Sequence, residues 1–180
     1  ESNGNIAFTG NEVDVENTSI LLSQGWNWIA YTPQLPLNIN VALSNIGDGN
    51  GSYIKSQAAF ADYYSGYGWF GQLSTMEPFN GYQIFMENQD EFVYNENGDA
   101  FAREYADEDV DYSIWSLNIH DYEYNGSVTF KIMMNNQDIV SDSYYLGVFD
   151  GQECVGNVQP IVFPLTNEYV FPLMAYNNSE

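Results

Sequence analysis

Hydrophobic and polar residues alternate over short stretches along most of the chain. In SVTFKIMMN, residues 127–135, the alternation predicts one apolar face made of Val128, Phe130, Ile132 and Met134. A period of two is typical of a strand with one covered face. Similar segments are YIKSQAAFADYY, GWFGQLSTM, GYQIFMENQDEFVY, YYLGVFDGQECVGNVQPIVFP and EYVFPLMAYNN. Gly, Asn and Pro separate these segments, as turns require. The pattern predicts an all-β, mainly antiparallel fold of sandwich or barrel type, with at most one or two short helices.

One of those short helices is predicted in INVALSNI, residues 39–46. The strand segments fall on either side of an acidic stretch that interrupts the alternation. We therefore predict an N-terminal strand or connection at 1–17, a first β module at 18–97, an acidic connector at 98–111 and a second, sandwich-like module at 112–180.

The segment GWNWIAY, residues 25–31, places two tryptophans on the same side of a predicted strand. That side is either a packed core or an exposed platform for a sugar. Ile29 and Tyr31 make the opposite side apolar as well, which favours a central strand covered on both faces. The pattern therefore predicts that Trp26 and Trp28 anchor the core of the first module.

The charge of the chain is strongly negative, with 25 acidic residues against Lys55, Arg103 and Lys131 and a net charge of -22. Such a field repels phosphate backbones and anionic lipids, so nucleic acid is excluded as a partner. No apolar run is long enough for membrane insertion. The single cysteine, Cys154, cannot form an intrachain disulfide, and its apolar surroundings predict burial.

Catalytic patterns are weak, and we expect no enzymatic activity. His120 is the only histidine, so a zinc site with several histidines cannot form, and no GxSxG motif is present. A hydrolase would need two carboxylates held close together, and no motif singles out such a pair.

Calcium binding is a more specific hypothesis than catalysis, because two loops carry oxygen ligands at alternating positions. The first loop offers Asp48, Asn50 and Ser52, and the acidic connector offers Asp107, Asp109 and Asp111. The alternative is a plain turn and a solvated linker.

Aromatic residues cluster in DYYSGYGWF and could bind a carbohydrate, since ring faces stack on sugars while neighbouring amides bind hydroxyls. The cluster comprises Tyr63, Tyr64, Tyr67, Trp69 and Phe70. The same rings would also suit a core or a subunit interface. Four N-glycosylation triplets begin at Asn17, Asn50, Asn125 and Asn177, as in extracellular proteins.

Two long segments resemble modules of secreted, multi-modular surface proteins, especially type IX secretion substrates of Bacteroidota. The first contains LLSQGWNWIAY and IKSQAAFADYYSGYGWFGQLSTMEPFNGYQIFM, and the second runs from WSLNIHDYEYNG through GVFDGQECVGNV to LMAYNN. Together they cover about residues 18–178. This chain has Val155 where the resemblance leads us to expect an arginine after the cysteine.

The resemblance implies an extracellular, non-catalytic β module. We expect a structural or adhesive unit of a larger surface protein or filament, with other copies or neighbouring modules as partners. The alternative is a carbohydrate-binding module, with Ca²⁺ as an optional cofactor and glycans as partners. A fragment of a secreted enzyme is a third, weaker option.

Overall fold

The computed structural model describes residues 9–11, 13–95 and 115–178. The predicted acidic connector, with Asp107, Asp109 and Asp111, lies outside these residues. Residues 13–95 form a 3₁₀ helix at Val15–Asn17, a single-turn helix α1 at Ile39–Ala42, and nine strands. The strands are β1 Ile20–Leu22, β2 Gly25–Ala30, β3 Leu37–Asn38, β4 Gly51–Lys55, β5 Phe60–Tyr64, β6 Gly68–Gly71, β7 Thr75–Met76, β8 Gly81–Met86 and β9 Asp90–Phe92.

Residues 115–178 form a 3₁₀ helix at Ile119–Asp121 followed by seven strands. These strands are β10 Tyr124–Phe130, β11 Met133–Met134, β12 Gln137–Asp138, β13 Leu146–Asp150, β14 Glu153–Val158, β15 Ile161–Phe163 and β16 Glu168–Asn177.

Every strand pair in the described residues is antiparallel, so the predicted all-β, mainly antiparallel fold is confirmed. The α-helix lies where the INVALSNI pattern predicts it, and Asn38 caps it by accepting a hydrogen bond from the backbone N–H of Asn40. Among the described residues, no helix is long or apolar enough to cross a bilayer.

The first half is organised around a five-stranded sheet in the order β2-β8-β4-β5-β6, with the small pairs β1-β9 and β3-β7 beside it. The inner face of the sheet covers the largest core. On β8, for example, Tyr82, Ile84 and Met86 are buried in this core, whereas Gln83 and Phe85 point to the outer face.

In the second half, a three-stranded sheet, β10-β16-β15, lies between the first half and the β13-β14 pair. The cross-strand register puts Phe171 and Leu173 of β16 on one face, where they form a small core with Val158. Met174 and Tyr176 form a second cluster with Phe60, which lies on the outer face of the first-half sheet. The longest strand of the protein, β16, is therefore covered on both faces.

Cys154 is buried, as its apolar surroundings predict. The backbone of β14 approaches β16 closely two residues later, at Gly156. A Cβ atom added there would lie 2.5 Å from the carbonyl oxygen of Met174.

The prediction that Trp26 and Trp28 are core anchors is wrong. Their side chains are 55% and 80% exposed, because β2 is an edge strand and both indoles lie on the outer face of the sheet. The core side of β2 is instead filled by Ile29 and by Asn27. The Asn27 amide binds the backbone of Ser23 in both directions, at 2.7 and 2.9 Å.

The predicted continuous apolar face on SVTFKIMMN is also wrong. Strand β10 ends at Phe130, and Val128 and Phe130 are exposed at an edge of the three-stranded sheet. The polar residues of β10 face the first half instead, where Ser127 and Tyr53 share a hydrogen bond of 2.5 Å. The face of β10 that bears Ser127 therefore packs on the first half.

The close approach of β6 to β5 depends on the absence of a side chain at Gly71. A Cβ atom there would clash with the backbone of Phe60 and lie 2.7 Å from Cα of Ala61. We expect Gly71→Ala to lower the free energy of unfolding by about 2–3 kcal/mol, since two paired backbones must separate. Urea denaturation followed by circular dichroism measures this change. The control is Gly126→Ala, where a new Cβ meets nothing within 4 Å, so equal losses in both variants would contradict this explanation.

Asp62 lies on the outer face of β5, in register with Tyr53 of β4 and Phe70 of β6. Burial raises the pKa of its carboxyl group above the ordinary value. An acid with a raised pKa in the folded state destabilises the fold once it ionises, so this cost is absent at acid pH and grows as the pH rises from the unfolded pKa through the folded one.

We therefore expect Asp62→Asn to stabilise the protein at pH 7 and to give a smaller gain near pH 4. Asp142→Asn, at an exposed position, controls for the general relief of negative charge. Urea titrations of both variants at the two pH values measure the difference. An Asp62→Asn gain that does not exceed the Asp142→Asn gain at pH 7 would refute the burial effect.

Candidate functional site

A cleft of about 440 Å³ lies where the outer face of the first-half sheet meets the second half. Both halves contribute to its walls. The first half supplies Trp28, Lys55, Ser56, Gln57, Gly81 and Gln83. The second half supplies Ile119, Tyr122, Glu123, Tyr124, Asn125 and Tyr176.

Three neighbouring strands align the first wall. Trp28 of β2 and Lys55 of β4 are both in register with Gln83 of β8, which lies between them. Cross-strand partners point to the same face of a sheet, so an indole, an amide and an ammonium group form one row. Next to this row Gly81 has no side chain, which keeps the end of the cleft open.

The second wall begins at the 3₁₀ helix, which is capped by the Asn118 side chain. The following residues alternate in direction. The ring of Tyr122 packs against Tyr176 with centroids 5.8 Å apart, and its hydroxyl donates to Glu153 at 2.6 Å. Tyr124 lines the cleft and remains 57% exposed, on the face of β10 that it shares with Val128.

Polar contacts at the base of the cleft join the two walls. Lys55 Nζ donates to Asn125 Oδ1 at 2.8 Å. The backbone oxygen of Gln57 accepts from Asn125 Nδ2 at 3.4 Å and from the Tyr176 hydroxyl at 3.1 Å. These bonds hold the segment 55–57 against β10 and β16, so the walls are fixed before any ligand arrives.

Lys55 gives the cleft a local positive charge in an otherwise acidic protein. Its ammonium lies 5.8 Å from the centroid of the Trp26 ring, and burial lowers the pKa of this amine. Lys131 is instead paired with Asp138 and Glu168 at 3.3 and 2.6 Å, and Arg103 lies outside the described residues.

The five aromatic residues predicted as a ligand site lie on the β5-β6 hairpin, but on two different faces. Tyr63 and Trp69 are on the inner face, where Trp69 is only 5% exposed and packs over Gly51. Tyr64, Tyr67 and Phe70 are on the outer face. There Phe163 of the second half packs against Tyr64 and Phe70, with ring centroids 4.9 and 5.1 Å apart. The ring planes on this hairpin meet at about 70°, so they do not form one flat platform.

In the loop predicted to bind calcium, protein donors occupy the oxygen atoms. The Asp48 carboxylate accepts from the Tyr63 hydroxyl at 2.6 Å, and Asn50 Oδ1 accepts from Asn88 Nδ2 at 3.3 Å. Ser52 lies at a β-bulge, between two registers of the β4-β8 pair. Within the described ranges, no three side chains of His, Cys, Asp or Glu lie close enough together to hold a metal ion.

Asp90 helps to hold this loop in place. Burial alone would raise the pKa of the Asp90 carboxyl group. Hydrogen bonds from the backbone N–H of Gly47, the Asn50 amide and the backbone N–H of Glu91 outweigh burial and lower that pKa. Asp90 is therefore an ionised acceptor that ties the loop to the start of β9.

The four predicted glycosylation positions differ in their surroundings. Asn17 is exposed and donates to the Asp14 carboxylate, and Asn177 is exposed at the end of β16. Asn50 and Asn125 are half-buried, and both use their amide nitrogens in hydrogen bonds within the fold. A glycan at either of these two would have to be attached to a half-buried nitrogen that already donates within the fold.

The cleft residues were not among the sequence-predicted ligand residues. One signal in the sequence could have identified Lys55, which is one of only three cationic residues and lies within a predicted strand. No periodicity could identify the second wall, since it meets the first only through the packing of the two halves.

Comparison of the chain with protein-family models, with curated proteins and with solved structures finds no match.

Proposed function

We propose that the protein is a non-catalytic, extracellular adhesive module that binds carbohydrate in the cleft between its two halves. The observation that carries this proposal is the 80% exposed indole of Trp28 at the cleft wall, beside the amide of Gln83. A large exposed aromatic ring next to fixed hydrogen-bonding groups suits the alternating apolar and hydroxylated surfaces of a sugar.

The size and composition of the cleft support this proposal. Ligand sites for small molecules have volumes of roughly 300–1,000 Å³, with aromatic walls and a few fixed polar groups. The cleft falls in this range, and Tyr124 is a second exposed aromatic residue in its lining. Gln57 and Gln83 supply side-chain amides, which can donate to and accept from sugar hydroxyls.

The carboxylates around the cleft favour binding over hydrolysis. Among the described residues that line the cleft, Glu123 is the one acidic side chain, whereas glycoside hydrolysis requires two carboxyl groups on opposite sides of the scissile bond. The extracellular location rests on the resemblance to secreted surface modules and on the acidic composition.

A structural role in a filament is the second candidate. It is favoured by Val128 and Phe130, which are apolar, exposed and located on the edge strand β10. Exposed edges of this kind pair readily with another chain. A rise in mass with concentration in analytical ultracentrifugation, abolished by Val128→Lys, would favour this role.

The direct test of the binding proposal is Trp28→Ala on a glycan array, followed by titration calorimetry with the glycans that bind. We expect the dissociation constant to rise about tenfold or more, because the stacking ring is lost. The melting temperature should change little, since the side chain is largely in water in the free protein.

Tyr144→Ala is the matched control, because Tyr144 is an exposed aromatic residue of the second half that does not line the cleft. This variant should bind as tightly as the parent protein. If the parent protein binds no glycan, or if Trp28→Ala binds as well as the parent, the proposal is wrong.

A further inference from the structure

We infer that the cleft selects sugars bearing a carboxylate, as in uronic acids, and that Lys55 is the residue that binds this group. This inference rests on the proposed function, because it names the class of sugar that the same cleft takes.

The first argument is the unused hydrogen-bonding capacity of Lys55. An ammonium group has three donors, and the hydrogen bond to Asn125 Oδ1 uses one of them. In the part of the chain that the structure describes, no carboxylate lies within 4 Å of this ammonium, whereas Lys131 has two such partners. A carboxylate on the ligand would supply the counter-charge that the described fold does not.

The second argument is the cost of holding this charge in the cleft. Burial disfavours the charged form of Lys55, because water is partly removed from around it. A partly desolvated ammonium group beside an open cleft binds a carboxylate strongly, since charge-assisted hydrogen bonds are about twice as strong as neutral ones.

The third argument is the geometry of the first wall. Trp28, Gln83 and Lys55 occupy adjacent strands, which are spaced about 4.8 Å apart in a sheet. The indole and the ammonium therefore belong to strands about 10 Å apart. A disaccharide is long enough to stack one ring on Trp28 and to place a carboxylate of the next ring at Lys55.

The charge of the whole protein limits the ligand further. A net charge of -22 repels polyanions with many charges per unit, such as heavily sulfated chains. At physiological ionic strength, salt largely screens the repulsion between exposed charges more than about 8 Å apart. A carboxylate in direct contact with the Lys55 ammonium is screened much less. One carboxylate per sugar is therefore a better match than several sulfates.

The test compares short oligouronides with the same oligosaccharides after their carboxyl groups have been reduced to alcohols. Titration calorimetry at physiological ionic strength measures both. We expect the parent protein to bind the uronides about tenfold more tightly than their reduced counterparts. Lys55→Gln should bind both forms equally, because the amide keeps hydrogen-bonding capacity but carries no charge. Lys131→Gln, the matched control far from the cleft lining, should keep the tenfold preference.

The outcomes separate this inference from the proposed function. Equal binding of both forms by the parent protein, or a preference that survives in Lys55→Gln, overturns the role of Lys55 and leaves the sugar cleft standing. Tighter binding of sulfated oligosaccharides than of uronides also overturns it. If the protein binds neither form nor any other glycan, both the inference and the proposed function are wrong.

Discussion

The packing of β16 and β10 on the outer face of the five-stranded sheet is the contact on which the cleft depends. At its centre, Phe60 of the first half is buried against Met174 and Tyr176 of the second. Beside this apolar contact, Tyr53 is bonded to Ser127, and Lys55 to Asn125. The cleft is the uncovered remainder of the same face, so it exists only because the second half covers the sheet incompletely.

The sequence predicted local structure well and long-range packing poorly, for a physical reason. Alternation identified the strands, and the helix at Ile39–Ala42 lies where expected. Alternation shows which residues share a face, but it does not show what covers that face. Trp26 and Trp28 were therefore predicted to be core residues, although other side chains cover them only in part. The central strand of the protein proved to be β16, whose role becomes visible only when both halves are placed together.

The same limit of sequence patterns explains why the ligand site was predicted on the β5-β6 hairpin. The rings of the β5-β6 hairpin are close in sequence, and they were predicted as one surface. A hairpin sends successive side chains to opposite faces, so Tyr63 and Trp69 enter the core side while Tyr64 and Phe70 meet Phe163. Residues of the cleft are instead as far apart in the chain as Trp28 and Tyr176. Proximity in sequence was therefore a poor guide to which residues share a surface here.

With respect to the described residues, Trp28 is 80% exposed on the outer face of the edge strand β2, and this is the strongest reason to propose a role for it in binding. A tryptophan on an edge strand exposes apolar area to water and adds an aggregation risk at an unpaired edge. A smaller polar residue would serve the sheet equally well, since the core side of β2 is filled by Ile29 and Asn27. Exposed aromatic side chains at the wall of a polar cleft are explained when a ligand covers them. In this acidic protein, Lys55 in the same row is the basis for the proposed preference for a ligand with a negative charge.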